Sequence, residues 1–462
     1  MMANATSARW LLWLGIGLLG GCAQPQAPLT GKALEQAAAQ GDVHAQYILA
    51  RQLAERHEYP RAMQLMQTVG NKGAISSATA YERSEAARQV GDWYQAGLGE
   101  PRNEPLAVTW WEKSSSLGNA RASYQLALRC QQQHGGEVTT DCIDVWEKAA
   151  EQGHGGAQLA LATWFARHEG ASQKALSWLQ KAADQQQPEA LYLLAQRYEK
   201  GEGVDKREDM AERLYLQSAE KGYPAAQRRQ GERREGKVAF DWYLKAAGGN
   251  DPAAQRWMAV ALLEGKGAPR NEPQGMAWLQ RAVKGGDPQA QYLYSQRQTR
   301  EEDRERYLEL SAKGDYSDAQ HALAGIYTGR GEDTRARKLW ASLAQKGDPQ
   351  DRYAYAEMLR LGQGGKEEFA EAFKQYRLAA MQGNRQAQYR MGMMRQEGMG
   401  ATRNRIHAYA WYSLATTKGM REALAALNDL EATMKPEEIE SAQKLAMLWG
   451  KQIAKRNGEE RL

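Results

Sequence analysis

The residues of this chain best placed to react with each other are two of its three cysteines, Cys130 and Cys142. Both fall at inward-facing positions of one predicted helical hairpin, so their side chains would meet across it. In an exported protein such a pair is expected to form a disulfide, because oxidising compartments favour cystine. Free buried thiols, or a metal or redox role for the pair, are the alternatives. We therefore predict a disulfide between Cys130 and Cys142.

The other candidate metal ligands are seven histidines: His44, His57, His134, His154, His168, His321 and His407. They fall in different repeats, and none has the His-x3-His spacing of a helical metal site. Gly-x-Gly pairs recur at predicted hairpin tips, where glycine serves turn geometry rather than phosphate binding. We predict no metal site, no cofactor and no catalytic residues, and hence a protein that is not an enzyme.

The third cysteine, Cys22, follows an apolar run from Trp10 to Leu19 that begins just after Arg9. A run of about ten residues is too short to span a bilayer and is typical of a signal peptide. A plain secretory signal with a coincidental cysteine is the alternative to a lipidation signal.

The sequence Leu19-Gly20-Gly21-Cys22 resembles a bacterial lipobox. This resemblance implies a signal peptide at residues 1–21 and a mature chain that is acylated (palmitate-type anchoring) at Cys22. More than one acyl chain is enough for stable anchoring. Residue Ala23, where an Asp would be a retention signal, implies transfer to the outer membrane, facing the periplasm. Residues 22–32 would then be the lipidated tether.

Most of the chain repeats one pattern. A small residue opens each first helix, a mostly apolar residue follows four positions later, and Gly or Ala follows five positions later. These positions lie on one helical face. The opening residues are Ala45, Ala86, Ala122, Ala157, Ala190, Ala226, Ala254, Ala290, Ala319, Asp351 and Ala387.

A second helix follows each first helix and carries a large aromatic or apolar residue shortly after its own opening residue. The opening residues are Ala62, Ala107, Cys142, Ala175, Ala211, Ala239, Gly275, Arg304, Ala336, Ala372 and Ala408. Because most aromatics of the chain occupy this one position, we interpret them as packing between helices. A stacking platform for sugars or bases is the alternative.

The junctions between repeats keep a nearly fixed length, whereas the hairpins vary. Two hairpins, Ala226 to Ala239 and Ala290 to Arg304, are about two helical turns shorter than the full-length ones. Between Ala62 and Ala86 the junction is longer, which predicts an extended helix there. We expect residues 33–85 to form an N-terminal cap and first repeat, residues 86–420 the repeat array, and residues 421–462 two capping helices.

The last full repeat carries surplus methionines and an arginine at a position where other repeats have Tyr. Methionine adapts readily to binding surfaces, although filling of the core is the alternative. We expect a partner-binding surface at Met393, Met394, Arg395 and Met399.

The repeats resemble the Sel1-like repeat, a relative of the tetratricopeptide repeat. Residues 190–222, 254–286 and 387–419 carry the resemblance most fully, including the Gly-x-Gly tips Gly201/Gly203, Gly265/Gly267 and Gly398/Gly400. It implies an all-α fold, a right-handed α/α superhelical solenoid of about eleven hairpins, with a concave protein-binding surface. Members of the family are adaptors far more often than enzymes.

Together these features predict a periplasmic scaffold, anchored to the outer membrane, that binds other envelope proteins. In its architecture and lipobox alone, the chain resembles the lipid-anchored scaffold of alginate export, which implies a role in exopolysaccharide export or secretion. The alternatives are an adaptor for peptidoglycan enzymes or another envelope machine, and a β-lactam-binding or cell-wall enzyme. The formal net charge of +5 over 462 residues is too weak to indicate nucleic acid as a partner.

Overall fold

The structure is a computed structural model that describes residues 30–73, 78–168, 173–417 and 419–458. Every regular element in these ranges is a helix, which confirms the all-α prediction. The predicted signal peptide and Cys22 lie outside the described residues. None of the described helices has the length and apolar character needed to cross a bilayer.

The chain divides into two compact units, the first ending at Arg207 and the second beginning at Glu208. The first unit contains α1 Gly31–Ala39, α2 Val43–Glu55, α3 Tyr59–Asn71, α4 Ala80–Ala96, α5 Glu104–Ser116, α6 Ala120–Gln133, α7 Ile143–Glu151, α8 Gly155–His168, α9 Gln173–Asp184 and α10 Pro188–Lys200. A single turn of 3-10 helix, Thr140–Cys142, precedes α7.

The second unit begins with α11 Glu208–Glu220, α12 Pro224–Glu232, α13 Gly236–Gly248, α14 Pro252–Glu264, α15 Glu272–Lys284, α16 Pro288–Ser295, α17 Glu301–Lys313 and α18 Ser317–Gly329. It continues with α19 Asp333–Lys346, α20 Pro349–Leu361, α21 Phe369–Ala380, α22 Arg385–Glu397, α23 Arg405–Thr416, α24 Arg421–Glu431 and α25 Pro436–Asn457. The last two are the C-terminal helices expected from the sequence.

Local signals set the ends of the repeat helices. Asp251, Asp287 and Asn384 cap α14, α16 and α22, each accepting a hydrogen bond from the backbone N–H three residues on. Gly265 and Gly398 end α14 and α22 with φ of +75° and +82°, the left-handed conformation that favours glycine. These signals hold both helices at 13 residues.

Small residues on the first helices let aromatic rings pack directly against the backbone. A methyl group added to Gly231 would lie 2.8 Å from the ring of Tyr243, and one added to Gly392 would collide with the ring of Tyr412. The predicted packing role of the aromatics is confirmed at several second helices. Fully buried rings there are Trp146, Tyr215, Tyr376 and Tyr412.

The two short hairpins are shortened in the first helix as well as at the tip. Helices α12 and α16 contain 9 and 8 residues, against 13 in α14 and α22. The inward faces stay in register, because Ala226 and Ala290 remain fully buried. Arg304 differs from the other opening residues, since it is exposed and Leu308 is the buried position of α17.

The predicted extension lies in α4. This helix contains 17 residues and begins at Ala80, well before the inward-facing Ala86. Its first turn is a capping box in which Thr79 and Glu82 each satisfy a backbone N–H of the other.

Candidate functional site

Cys130 and Cys142 are joined across one hairpin of the first unit. Cys130 lies near the end of α6 and is half-buried, whereas Cys142 ends the 3-10 turn and is fully buried. Their sulfurs are 1.99 Å apart and their Cα atoms 5.8 Å apart, within the range that a disulfide spans. The fold therefore brings together the two residues that the sequence paired.

His134 lies beside this disulfide, at the end of α6. Its Nδ1 is 3.5 Å from the sulfur of Cys142 and 2.8 Å from the carbonyl oxygen of Cys130. The three side chains cluster closely enough to hold a metal ion. However, metal ions are bound by thiolates, and two sulfurs bonded to each other offer none. The structure thus places a cystine here, with the imidazole packed against it.

The four residues expected to bind a partner do not form one surface. Met394 is fully buried, one turn from Met391 on the same face of α22, and both pack in the core with Tyr376. The expectation for Met394 is therefore wrong, because its helical phase places it inward. Met393 is half-buried and packs on a different cluster with Tyr389.

Met399 is half-buried at the tip that follows α22 and packs against the same core cluster as Met391. Its side chain is thus partly accessible to solvent and partly packed against the core. Arg395, the remaining one of the four expected residues, lines a cavity between helices of the second unit.

The cavity around Arg395 has a volume of about 260 Å³ and is formed by four helices of the second unit. We call it the Arg395 pocket. Its principal lining residues are Phe373 and Arg377 on α21, Arg395 on α22, His407 and Trp411 on α23, and Trp449 on α25.

One wall of the Arg395 pocket is aromatic. The rings of Trp411 and Trp449 stack with centroids 4.4 Å apart, and His407 meets Trp449 edge-on at 5.4 Å. Trp411 is buried, whereas Trp449 is half-buried. Trp411 therefore packs as the repeat pattern predicted. Sequence reasoning missed Trp449, whose spacing on α25 follows no repeat.

The pocket also has a basic part, formed by Arg377 and Arg395. The Arg395 guanidinium lies 4.8 Å from the centre of the Phe373 ring and donates to the carbonyl oxygen of Thr402 at 3.0 Å. Burial, together with the nearby charge of Arg377, lowers the pKa of Arg395. Burial and the charge of Arg395 likewise lower the pKa of His407. Positive charge is therefore concentrated in the pocket at an electrostatic cost.

A fully paired acidic residue lies in the neighbouring repeat. Glu357 on α20 accepts hydrogen bonds from Tyr376 at 2.6 Å, from Arg390 at 2.6 Å and from Arg360 at 2.7 Å. Burial raises the pKa of Glu357, but the hydrogen bonds from Arg360 and Tyr376 and the charge of Arg390 outweigh it and lower the pKa overall. These contacts tie α20 to α21 and α22, which support the pocket.

We expect Glu357→Gln to lower the free energy of unfolding by about 1–3 kcal/mol at pH 7, because two arginines lose their shared carboxylate. The folded-state pKa of Glu357 lies below its ordinary value of 4.5. Its stabilisation is thus present above that value and is lost as the pH falls through the folded pKa. Urea unfolding should show the difference between wild type and variant shrinking over this acid range.

The matched control is Glu371→Gln, since Glu371 is an outer residue of α21 that pairs with Lys374 at 3.3 Å. Such surface pairs contribute little, so this variant should remain close to wild type at every pH. A Glu357→Gln deficit that stayed constant down to pH 3 would contradict the linkage argument.

Comparisons with known proteins agree with this architecture. The Sel1 repeat family model matches residues 84–119, 146–154, 157–186, 188–223, 229–251, 252–287, 350–384 and 385–420. These segments make up more than half of the chain. They include the repeat that carries Arg395.

A curated relative is chitin synthase regulatory factor 3 of Schizosaccharomyces pombe, 28% identical over 254 residues. The match covers 50% of this chain and 27% of the relative, so the chain spans about a quarter of that protein's length.

Two solved structures are also similar. The protective antigen c5321 of uropathogenic Escherichia coli, which displays an SLR fold, is 21% identical with a TM-score of 0.62, covering 92% of this chain and 95% of that one. A Sel1 repeat protein of Oxalobacter formigenes is 24% identical with a TM-score of 0.30, covering 70% and 89%. Sel1 repeat proteins are generally non-catalytic scaffolds that bind other proteins. The chain is a member of the Sel1 repeat family.

Proposed function

We propose that this protein is a non-enzymatic scaffold, held at the periplasmic face of the outer membrane by acyl chains on Cys22, that binds other envelope proteins. The array of Sel1 repeats carries the scaffold part of the proposal. The aromatic side chains of these repeats pack largely between helices. We therefore expect partners to bind the outer helix faces. The location rests on the sequence Leu19-Gly20-Gly21-Cys22 and the apolar run before it.

Within this function we propose a role in the export or secretion of an exopolysaccharide. The name of the fission-yeast relative refers to regulation of chitin synthase, and a synthase of a polysaccharide is the kind of machine that an envelope scaffold would serve. Chemical cross-linking in intact cells, followed by purification of the tagged full chain, tests the proposal. Recovery of polysaccharide-export proteins supports it, whereas recovery of peptidoglycan enzymes instead would favour the other adaptor role.

The enzyme alternative gives a different result in the same preparation. If purification recovers no envelope protein and the purified chain hydrolyses cell-wall material or a β-lactam, the scaffold proposal is overturned.

Anchoring is tested separately with Cys22→Ala. We expect wild type to fractionate with the outer membrane and the variant to be a soluble periplasmic protein, because the variant lacks the acylated residue. Cell fractionation with immunoblotting measures this. Membrane association that persists in Cys22→Ala would mean that something other than the acyl chains holds the protein.

The matched control is Ala23→Asp, which keeps the acylated cysteine. We expect it to remain in the membrane fraction but to move to the inner membrane. Mass spectrometry of the N-terminal peptide should find acyl chains in this variant and none in Cys22→Ala.

A further inference from the structure

The Arg395 pocket presents a positive charge that nothing in the described part of the chain neutralises. Among the described residues, no acidic side chain forms an ion pair with Arg395 or Arg377. The Nε of Arg395 is buried and lacks a hydrogen-bond acceptor there. Because Nε is closed to solvent, an anion brought by another molecule would instead meet the terminal nitrogens of Arg395, one of which donates to Thr402, and the exposed guanidinium of Arg377.

Other arginines of the chain differ from Arg395 in the acceptors around them. Arg390, on the same helix, donates from Nε to the Glu357 carboxylate at 2.6 Å. Arg234 occupies the equivalent repeat position to Arg395 and donates to the carbonyl oxygen of Gln230 at 3.0 Å and to its side-chain oxygen. Arg360 also has a buried Nε without an acceptor, but it pairs with Glu357 at 2.7 Å. Arg395 therefore differs from Arg360 and Arg390 in having no carboxylate partner among the described residues.

The shape and lining of the pocket favour a carboxylate that is followed by an apolar side chain. Guanidinium groups bind carboxylates in a forked geometry. Beside Arg395 and Arg377, the half-buried ring of Trp449 offers an apolar surface. A cavity of about 260 Å³ is smaller than a typical small-molecule site. It suits one or two side chains of a peptide.

We propose that the Arg395 pocket binds an acidic segment of a partner protein, with an Asp or Glu carboxylate on Arg395 and Arg377 and the adjacent apolar side chain against Trp449. This proposal rests on the scaffold function and names the chemistry of its partner. The volume of about 260 Å³ favours one or two side chains over several sugar rings.

The test is a titration of the full mature chain, labelled with 5-fluorotryptophan, with the blocked peptide acetyl-Gly-Ser-Asp-Phe-Ser-Gly-amide. We call this the Asp-Phe peptide. The ¹⁹F resonance of Trp449, assigned with Trp449→Phe, should shift saturably. An analogue with Asn in place of Asp should bind about 10–100-fold more weakly, which corresponds to the loss of a charge-assisted hydrogen bond. Equal binding of the two peptides would overturn the proposal.

Arg395→Gln and Arg377→Gln should each weaken binding of the Asp-Phe peptide about tenfold or more. The matched control is Arg403→Gln, an exposed arginine of the same repeat outside the pocket, which should bind as wild type does. Because Arg377 is also exposed, its variant tests the pocket even if Arg395→Gln is misfolded. A uronate tetrasaccharide that shifts Trp449 at lower concentration than the peptide would overturn the peptide assignment.

Cross-linking in cells separates failure of this proposal from failure of the scaffold function. Loss of one envelope partner from Arg395→Gln, with the protein still in the membrane fraction, supports the pocket. Recovery of the same partners with wild type and Arg395→Gln contradicts the pocket and leaves the scaffold function intact. If wild type recovers no envelope protein, the scaffold function itself fails, and the peptide titration then stands as independent evidence on the pocket.

Discussion

Replacement of Tyr412 by Ala should lower the free energy of unfolding of the last repeats by about 3–5 kcal/mol. The ring is 2% exposed and fills the space beside Gly392, where even a methyl group would collide with it. Its removal leaves a cavity between α22 and α23, and Gly392 has no side chain that could fill this cavity. Hydrogen exchange of amides in α22 and α23 should accelerate, because repeat arrays transmit loss of packing mainly to neighbouring repeats.

One further variant separates the ring from its hydroxyl group, and another tests the close approach of the ring to the backbone. Tyr412→Phe loses only the hydrogen bond to the Gln396 side chain at 2.8 Å, so we expect a cost of about 0.5–1.5 kcal/mol. Gly392→Leu should be as damaging as Tyr412→Ala, because overpacking at a tight contact forces the helices apart. A Gly392→Leu protein as stable as wild type would show that the close approach of ring and backbone is not required.

Removal of the disulfide should have the second-largest effect. The double variant Cys130→Ser with Cys142→Ala should lose about 3 kcal/mol of stability, the value expected when a loop of this length is no longer closed in the unfolded chain. Urea unfolding of the first unit, followed by protease sensitivity of α6 and α7, measures the loss. Cys142 is fully buried, and the replacement by Ala keeps a small residue at that inward position.

Reduction provides the matched control, because it breaks the same bond without a substitution. A dithiol reductant should destabilise wild type to about the level of the double variant and leave the double variant unchanged. Wild type that is equally stable with and without reductant, and that yields two free thiols by mass spectrometry without it, would falsify the disulfide.

Most of the repeat architecture could be predicted because its determinants are local. Opening residues such as Ala190 and Ala387 recur at helical spacing and are fully buried. Asp and Asn caps and left-handed glycines mark the helix ends within a few residues. The disulfide pairing followed from the same register, since Cys142 takes the position of an opening residue and Cys130 that of a Tyr.

The candidate site was predicted less well, for two physical reasons. Three adjacent residues of α22 point in different directions, so Met393, Met394 and Arg395 could not share one surface. The pocket also needs Trp449 from α25, whose register against α23 follows no repeat. Arg395 could be located from its departure from the repeat pattern, but that pattern gives no sign of Trp449, which lines the same pocket.

The amino-acid sequence thus specifies the hairpins, the short and long repeats, the packing role of the aromatics and the pairing of Cys130 with Cys142. These properties follow from spacing along the chain, which fixes the face of a helix on which a side chain lies. The surroundings of Arg395 depend instead on three-dimensional packing. Residues of four helices converge on it, and their mutual positions arise from side-chain packing between helices that no local spacing encodes.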